Sequence, residues 1–435
     1  MRGNSRCAML GVLWLLITGC TSTADPTITT VPNEESGSAA SAPANTTAFA
    51  PPTPSIATGV SATPGPETGA PAEPGTDLPF PEPSFVQLPR AQQDALQAVV
   101  DRIAKVAAPA GMRGATAAVV TPHGSWTGAA GVDGDGQPLG PNAMMGIGAI
   151  TQTITAAQVL ALTTSGSVDL DTPVSTYLTH PTLQNDPTVR QLLSHTSGIK
   201  DYVTPEFLTA VTSDPTRSWT ALEVLRYTPD DLTDPGPPFR YSNSDYVLLG
   251  LLIEAITEQP YATAVFDGVL DGTGPRMVLQ DAQLPIPPLA APDHTDSGTP
   301  DGHYLPNRSI ASSAGASGGA AADAATLADW GYRLYGGRVL PLDLTAELSD
   351  PVTPGYGLGT LHLDSAPIRP ATGPAQDPQL TGLGAIGHDG SIPGYSSTLL
   401  VVPDRSLSIA VLIVGPELVA IETHIITAGL LTALT

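Results

Sequence analysis

The 435-residue chain has little cysteine and little lysine. Its two cysteines, Cys7 and Cys20, both lie near the N-terminus, so the rest of the chain can form neither a disulfide nor a cysteine-based metal site. Lysine occurs only at Lys105 and Lys200, and the formal net charge is −24. This acidity makes nucleic acid and anionic membrane surfaces poor partners, because both carry negative charge.

The N-terminal segment has an apolar run, but it is short. Residues 8–17 give about ten apolar positions after two arginines, whereas a bilayer-spanning helix needs ~20. This pattern predicts a signal peptide over residues 1–19. The sequence ITGC at 17–20 resembles a bacterial lipobox, which implies acylation of Cys20 and a membrane anchor on the outer face of the cell membrane. The alternative is an ordinary secretory signal followed by an unrelated cysteine.

Residues 20–88 are rich in alanine, proline, threonine and serine and contain few large apolar side chains. Such a segment cannot bury enough apolar surface to offset the entropy of ordering, so it is predicted to be a disordered tether. The remaining chain, residues 89–435, is long enough to bury a large core. We expect an α/β lobe from 89–168 and 326–435, with a helical insertion over 169–325.

Apolar periodicity supports this division. Spacings of three and four predict a helix over 90–108, and two apolar runs around Pro122-His123-Gly124 predict a hairpin of strands 114–121 and 125–131. The same reasoning predicts strands over 361–363, 394–402 and 407–415 and helices over 326–335 and 416–434. One sheet is therefore expected from the two ends of the chain.

The segment GIGAITQTITAA, residues 146–157, reads as the start of a helix. Ala149 and Gln152 are three residues apart and share one helix face. A serine and a lysine at these positions would place a hydroxyl beside an amine at a helix N-terminus, where the dipole favours a developing oxyanion. This is the logic of an S-x-x-K motif, with both functional groups absent.

Three further segments carry reactive or polar groups. Tyr241-Ser242-Asn243 is read either as a polar turn, with Asn243 or Ser244 capping a helix, or as a ligand-binding tyrosine and amide. Residues 387–397, with His388 and Gly390, read as a glycine-rich turn between strands. The run LLSHTSG at 192–198 reads as a helix end with Gly198 at C′.

In order and spacing, these four segments resemble the serine β-lactamase and penicillin-binding protein family, in its branch of class C β-lactamases, D-alanyl-D-alanine carboxypeptidases and esterases. The resemblance runs from about Gln92 to the C-terminus. It implies an α/β (α+β sandwich) fold, with an antiparallel sheet flanked by helices and a mostly helical inserted lobe. In active members, the serine attacks a carbonyl, the lysine and tyrosine move its proton, and two backbone N–H groups form the oxyanion hole.

The two replacements decide the expected function. Ala149 has no hydroxyl to acylate and Gln152 cannot take a proton, a loss that costs on the order of 10⁶ in rate. Gln152 can still donate and accept hydrogen bonds. We therefore predict a non-catalytic, cofactor-free site that binds a cell-wall peptide or small acyl compound. Its residues are Ala149, Gln152, Tyr241, Asn243, His388, Gly390 and Ser391.

Two alternatives stay open. An active hydrolase would need a displaced nucleophile, for which Ser197 and Lys200 match S-x-x-K as text, although Gly198 between them disfavours a helix. Thr151 points off the Ala149 face and Thr153 lies a turn further from the helix start. The other alternative is an interaction protein with an inert cleft and an unidentified partner.

Two acidic segments are interpreted as solvated loops without a metal. Residues 133–136, DGDG, resemble part of a calcium loop, but no terminal glutamate completes it. The second segment clusters five potential ligands, Asp293, His294, Asp296, Asp301 and His303.

Overall fold

A computed structural model describes residues 79–236, 238–273, 276–280, 287–294, 304–363, 380, 382–416 and 420–435. The predicted signal peptide, Cys20 and most of the predicted tether lie outside these ranges. The packed chain begins before the boundary predicted at residue 89. Phe80 is buried with its ring centroid 5.2 Å from that of Tyr332, and Leu88 is buried as well.

Most strands form one antiparallel sheet. The strands are β1 (Gly114–Thr121), β2 (Gly124–Gly131), β3 (Met145–Gly146), β4 (Met277–Leu279), β5 (Ala320–Ala322), β6 (Leu361–His362), β7 (Ile386–Ile392), β8 (Tyr395–Val402) and β9 (Leu407–Val414). The main sheet has the order β2-β1-β9-β8-β7-β6, and a small sheet has the order β3-β5-β4. Gly114 pairs with Val414 and Val120 with Ser408, so the two ends of the chain build the sheet together, as predicted.

Helices cover both faces of the main sheet. They are α1 (Arg90–Ala107), α2 (Thr151–Thr163), α3 (Val189–Leu193), α4 (Pro205–Ser213), α5 (Ala221–Leu225), α6 (Asn243–Thr257), α7 (Tyr261–Phe266), α8 (Arg308–Gly318), α9 (Ala324–Tyr335), α10 (Leu342–Ser349) and α11 (Ala420–Ala433). Alternate residues of β9 join different core clusters: Ile409 and Val411 pack on the side of α1 and α11, and Ala410 and Leu412 on the side of α9. The fold is thus the expected antiparallel sheet flanked by helices.

The segment between α2 and α9 is mostly helical, as predicted. Helix α2 lies where this helical segment joins the main sheet. Every residue of α2 from Thr151 to Leu160 is buried. A helix buried all round is fixed in position by its neighbours, so its first turn is a rigid platform. Among the residues described, no helix combines the length and apolar character that crossing a membrane would require.

The prediction of a glycine-rich turn over 387–397 is wrong. Residues Ile386–Ile392 form β7, and only Pro393 and Gly394 make the turn to β8. The glycines serve close backbone approach instead, as glycines inside strands often do. A Cβ at Gly387 would collide with the Leu399 carbonyl, and one at Gly390 with the Ile147 carbonyl.

Candidate functional site

The first turn before α2 presents one open position. Ala149 lies in a 3₁₀ turn, Gly148–Ile150, and is the only residue between positions 143 and 160 that is not buried. Gly148 adopts a φ of 51°, and a Cβ there would lie 2.7 Å from the Ser391 nitrogen. The end of β7 therefore lies directly against this turn. Because the first N–H groups of a helix lack intrahelical partners, Ala149 offers its backbone N–H as a donor beside a bare methyl group.

Gln152 is completely buried and its amide is hydrogen-bonded at both ends. Its Nε2 donates to Tyr241 Oη at 2.6 Å. Its Oε1 lies 3.2 Å from both His195 Nε2 and Tyr356 Oη. The amide is thus the centre of a polar cluster formed by three aromatic or imidazole side chains.

The Tyr241–Asn243 segment continues this cluster. The Tyr241 hydroxyl donates to Asn243 Oδ1 at 3.4 Å, and Asn243 Nδ2 donates to Asp201 Oδ2 at 2.8 Å. The interpretation of Asn243 or Ser244 as a helix cap is wrong. Ser242 holds the N-cap position and makes no side-chain cap bond, and Asn243 is the first residue of α6.

Burial determines the charge states of Tyr241 and Asp201 in this cluster. It raises the pKa of Tyr241 above its usual range, so the phenol is neutral. It also raises the pKa of Asp201 to about 6, against the opposing effect of its hydrogen bonds from Val203 and Asn243. Asp201 is half-buried and is ionised at neutral pH.

His388, on β7, is held as a neutral ring. Its Nδ1 donates to the Asp389 carbonyl at 2.6 Å, which leaves Nε2 as an acceptor 3.2 Å from Tyr356 Oη. Burial lowers the pKa of His388. The Tyr356 hydroxyl therefore lies between two acceptors, Gln152 Oε1 and His388 Nε2, and its one proton is donated to one of them at a time. Sequence reasoning missed Tyr356, because it lies in a loop without a recognisable motif.

His195 comes from the LLSHTSG run. Helix α3 ends at Leu193 and His195 has a φ of 54°, so the assignment of Gly198 as C′ of this helix is wrong. The turn brings His195 Nε2 to Gln152 and Nδ1 to within 3.0 Å of Asp245 Oδ2. Since Nε2 donates to the Gln152 carbonyl oxygen, Nδ1 is an acceptor, and Asp245 is protonated. Burial favours the neutral form of both groups, because it raises the pKa of Asp245 and lowers the pKa of His195.

The candidates for a displaced nucleophile are all engaged elsewhere. Ser197 is buried and donates to Asp245 Oδ1 at 2.6 Å, whereas Lys200 pairs with Asp231 at 2.8 Å on the surface. Thr151 donates to the Gly148 carbonyl. Thr153 donates to the Ile150 carbonyl and accepts from the Trp330 indole. No pair of hydroxyl and base forms among these residues.

The two acidic segments show no ligand geometry in the part of the chain that the structure describes. Asp133 accepts from the backbone N–H groups of Asp135 and Gln137, which explains its burial in a loop. His294 lies 2.8 Å from Asp135. Within the described ranges, no group of three or more potential ligands is placed to hold a metal ion. Asp296, Asp301 and His303 lie outside those ranges.

The fold is similar to that of several known proteins. A D-stereospecific amidohydrolase from Streptomyces sp. is 28% identical, with a TM-score of 0.56 over 74% of this chain and 93% of that one. A D-amino acid amidase from Ochrobactrum anthropi SV3 is 23% identical, with a TM-score of 0.62 over 78% and 99%, which shows the fold. Protein flp of Staphylococcus aureus (strain MW2) is 34% identical over 133 residues, and the match spans 29% of this chain and 26% of that relative. Residues 99–429, more than half of the chain, match the family described as Beta-lactamase, and the chain belongs to that family.

Proposed function

We propose that this protein is a lipid-anchored cell-envelope protein whose β-lactamase-related domain binds a carbonyl ligand without cleaving it. The ligand is a cell-wall peptide or a small acyl amide. The observation that carries the proposal is the buried, fully hydrogen-bonded amide of Gln152, three residues from the open methyl group of Ala149.

A working hydrolase needs a nucleophile and a group that accepts its proton. Gln152 has no basic nitrogen, and its amide is already bonded to Tyr241 and His195. His195 cannot substitute as the base, because its Nε2 proton points at Gln152 and its Nδ1 faces the protonated Asp245. The geometry therefore disfavours a displaced nucleophile.

The remaining parts suit binding. The backbone N–H groups at Ala149 and Ser391 survive the loss of a serine side chain, and an oxyanion hole also accepts a ground-state carbonyl oxygen. Asn243 keeps one amide hydrogen beyond the one given to Asp201. The amidohydrolase from Streptomyces supports an amide as the ligand class.

Two measurements on the full protein test this proposal. Incubation with a chromogenic cephalosporin, a fluorescent penicillin and D-phenylalanine amide is expected to give no hydrolysis and no adduct that survives denaturation. Cell-wall peptides and acyl amides are expected to raise the melting temperature, since a ligand that binds only the native state stabilises it. Turnover would contradict the loss of catalysis, and an unchanged melting temperature across the panel would favour an inert cleft.

The N-terminal segment supports the proposed lipid anchor at the cell membrane. The apolar segment at 8–17 and the ITGC sequence that ends at Cys20 resemble a lipoprotein signal. Radiolabelled palmitate incorporation in an expressing bacterium, with Cys20→Ser as the unlabelled control, tests the anchor.

A further inference from the structure

The hydrogen-bonded cluster of Gln152, Tyr241, Asn243 and Asp201 has an unusual charge balance for a site related to enzymes that use a lysine. Gln152 is neutral where that lysine would carry a positive charge. His195 and His388 are neutral because burial lowers the pKa of both. In the described part of the chain, no lysine, arginine or histidine forms an ion pair with Asp201.

Asp201 is fixed in position but has room for another partner. Its Oδ1 accepts from the Val203 N–H at 3.0 Å, and its Oδ2 accepts from Asn243 Nδ2 at 2.8 Å. The Asn243 backbone N–H also donates to this carboxylate, so three donors leave one of its four lone pairs for a further partner. The residue is half-buried, so it is desolvated enough to attract a cation strongly and open enough to meet one.

The groups around Asp201 carry no compensating charge. Tyr202 and Tyr241 are neutral phenols, with pKa values raised by burial, and Asp245 is a protonated acid. The neighbouring Lys200 is bound to Asp231 on the surface. A ligand carboxylate would be repelled by Asp201, because no positive group lies between them. A ligand ammonium would instead supply the positive charge that Asp201 lacks.

The contacts also set the position of that charge. Asp201 connects to the Gln152 amide through three successive hydrogen bonds of 2.8, 3.4 and 2.6 Å. Tyr241 and Asn243 therefore lie between Asp201 and Gln152. A group bound by Asp201 is accordingly at the end of the cluster away from the Gln152 amide.

We propose that Asp201 determines ligand specificity by binding an ammonium group, and that the ligand is a short peptide amide with a free N-terminus. This inference rests on the proposed function, and it adds the charge of the ligand. The carboxylate binds the ammonium, Asn243 and Tyr241 contact the intervening peptide group, and the backbone at Ala149 holds the next carbonyl.

A matched pair of ligands tests the inference by calorimetry. Glycyl-D-phenylalanine amide and N-acetyl-D-phenylalanine amide differ only in the ammonium group. At pH 7, we expect the glycyl compound to bind at least about tenfold more tightly than the acetyl compound, because a close charge pair at an interface can contribute that much to affinity. Asp201→Asn is expected to bring the ratio close to one, whereas Asp230→Asn, which removes an exposed carboxylate without freeing Lys200, leaves it unchanged.

The pH dependence of the same ratio needs no variant. Only ionised Asp201 attracts the ammonium, so the ratio rises as pH increases through about 6. It falls again above pH ~8, where an α-amino group loses its proton. At pH 5, we expect the ratio to approach one.

The outcomes separate the two proposals. If the acetyl compound binds as tightly as the glycyl compound at pH 7, the assignment of Asp201 is wrong and the binding function stands. A ratio that persists in Asp201→Asn, or at pH 5, also contradicts the assignment. If neither compound binds at millimolar concentration, the proposed function fails, and this inference fails with it.

Discussion

Two four-residue segments of this protein invite comparison, Ala149–Gln152 and Ser197–Lys200. The first leads into helix α2 and has an open position at Ala149, but it lacks both groups of an S-x-x-K motif. The second has a serine and a lysine at the right spacing, but no helix holds them together. Ser197 points into the core at Asp245 and Lys200 points to the surface at Asp231.

The difference shows that a motif is defined by the position of its groups in the fold. Helix α2 is buried all round, so its first turn is held against β7 whatever side chains it carries. The Ser197 segment instead supports the site from behind, through Asp245 and His195. Changing side chains should therefore restore chemistry in the first segment and only alter stability in the second.

The largest effect is expected from the double variant Ala149→Ser with Gln152→Lys. The helix, Tyr241 and the backbone donors are in place, so the new serine and lysine should form an acyl-enzyme. We expect a burst of p-nitrophenolate from an activated ester, with a rate at least about 10³-fold above that of the natural protein. Stopped-flow absorbance measures it, and Ala149→Ser alone is the control. A reverted protein that folds but gives no burst would mean that the cleft itself has changed.

Gln152→Leu should cause the next largest change, in stability. Leucine fills a similar volume but leaves the Tyr241 hydroxyl and the His195 and Tyr356 groups without their buried partner. We expect the free energy of unfolding to fall by about 3 kcal/mol, measured by urea denaturation. Gln152→Glu is not an equivalent test, because it adds a buried charge. A loss below about 1 kcal/mol would show that the amide is not the centre of the cluster.

Ser197→Ala tests the role assigned to the second segment. The variant removes a donor to Asp245 and an acceptor for the Ile199 N–H, both buried. The expected loss is about 2 kcal/mol in the free energy of unfolding. Reactivity toward the activated ester should not change in either the natural or the doubly reverted protein. If the burst of the reverted protein disappeared, Ser197 would be reacting.

Lys200→Ala should have the smallest effect. Its ion pair with Asp231 is solvated, with the side chains 41% and 71% exposed. Such pairs contribute less than about 0.5 kcal/mol to stability, and salt weakens them further. A melting curve in low and high salt checks this. A clear loss of ligand binding in this variant would place Lys200 in the cleft and contradict the comparison.

Much of the fold could be predicted from the sequence. The first hairpin follows from two apolar runs around a turn, and the strand at 114–121 has the bounds predicted for it. The error at β7 has a physical cause. Gly387 and Gly390 look like turn residues, but they are needed because neighbouring backbone atoms occupy the space of a Cβ. That requirement depends on tertiary contacts and leaves no local signal.

The candidate site divides in the same way. Ala149, Gln152, Tyr241 and His388 could be found because their segments carry recognisable spacing. Tyr356 and Asp201 could not, since each acts through contacts with residues distant in sequence, at Gln152 and Asn243. The protonation of Asp245 likewise follows only from its burial and its contact with His195.

The most direct test of the central claim is the intact mass of the natural protein after long incubation with a fluorophosphonate, a reagent that reacts with activated serines. We predict an unmodified mass for the natural protein and a single stoichiometric adduct at position 149 in the double variant Ala149→Ser, Gln152→Lys. A stoichiometric adduct on the natural protein, mapped to Ser197, Ser391 or any other hydroxyl, would contradict the claim that this cleft binds without covalent chemistry.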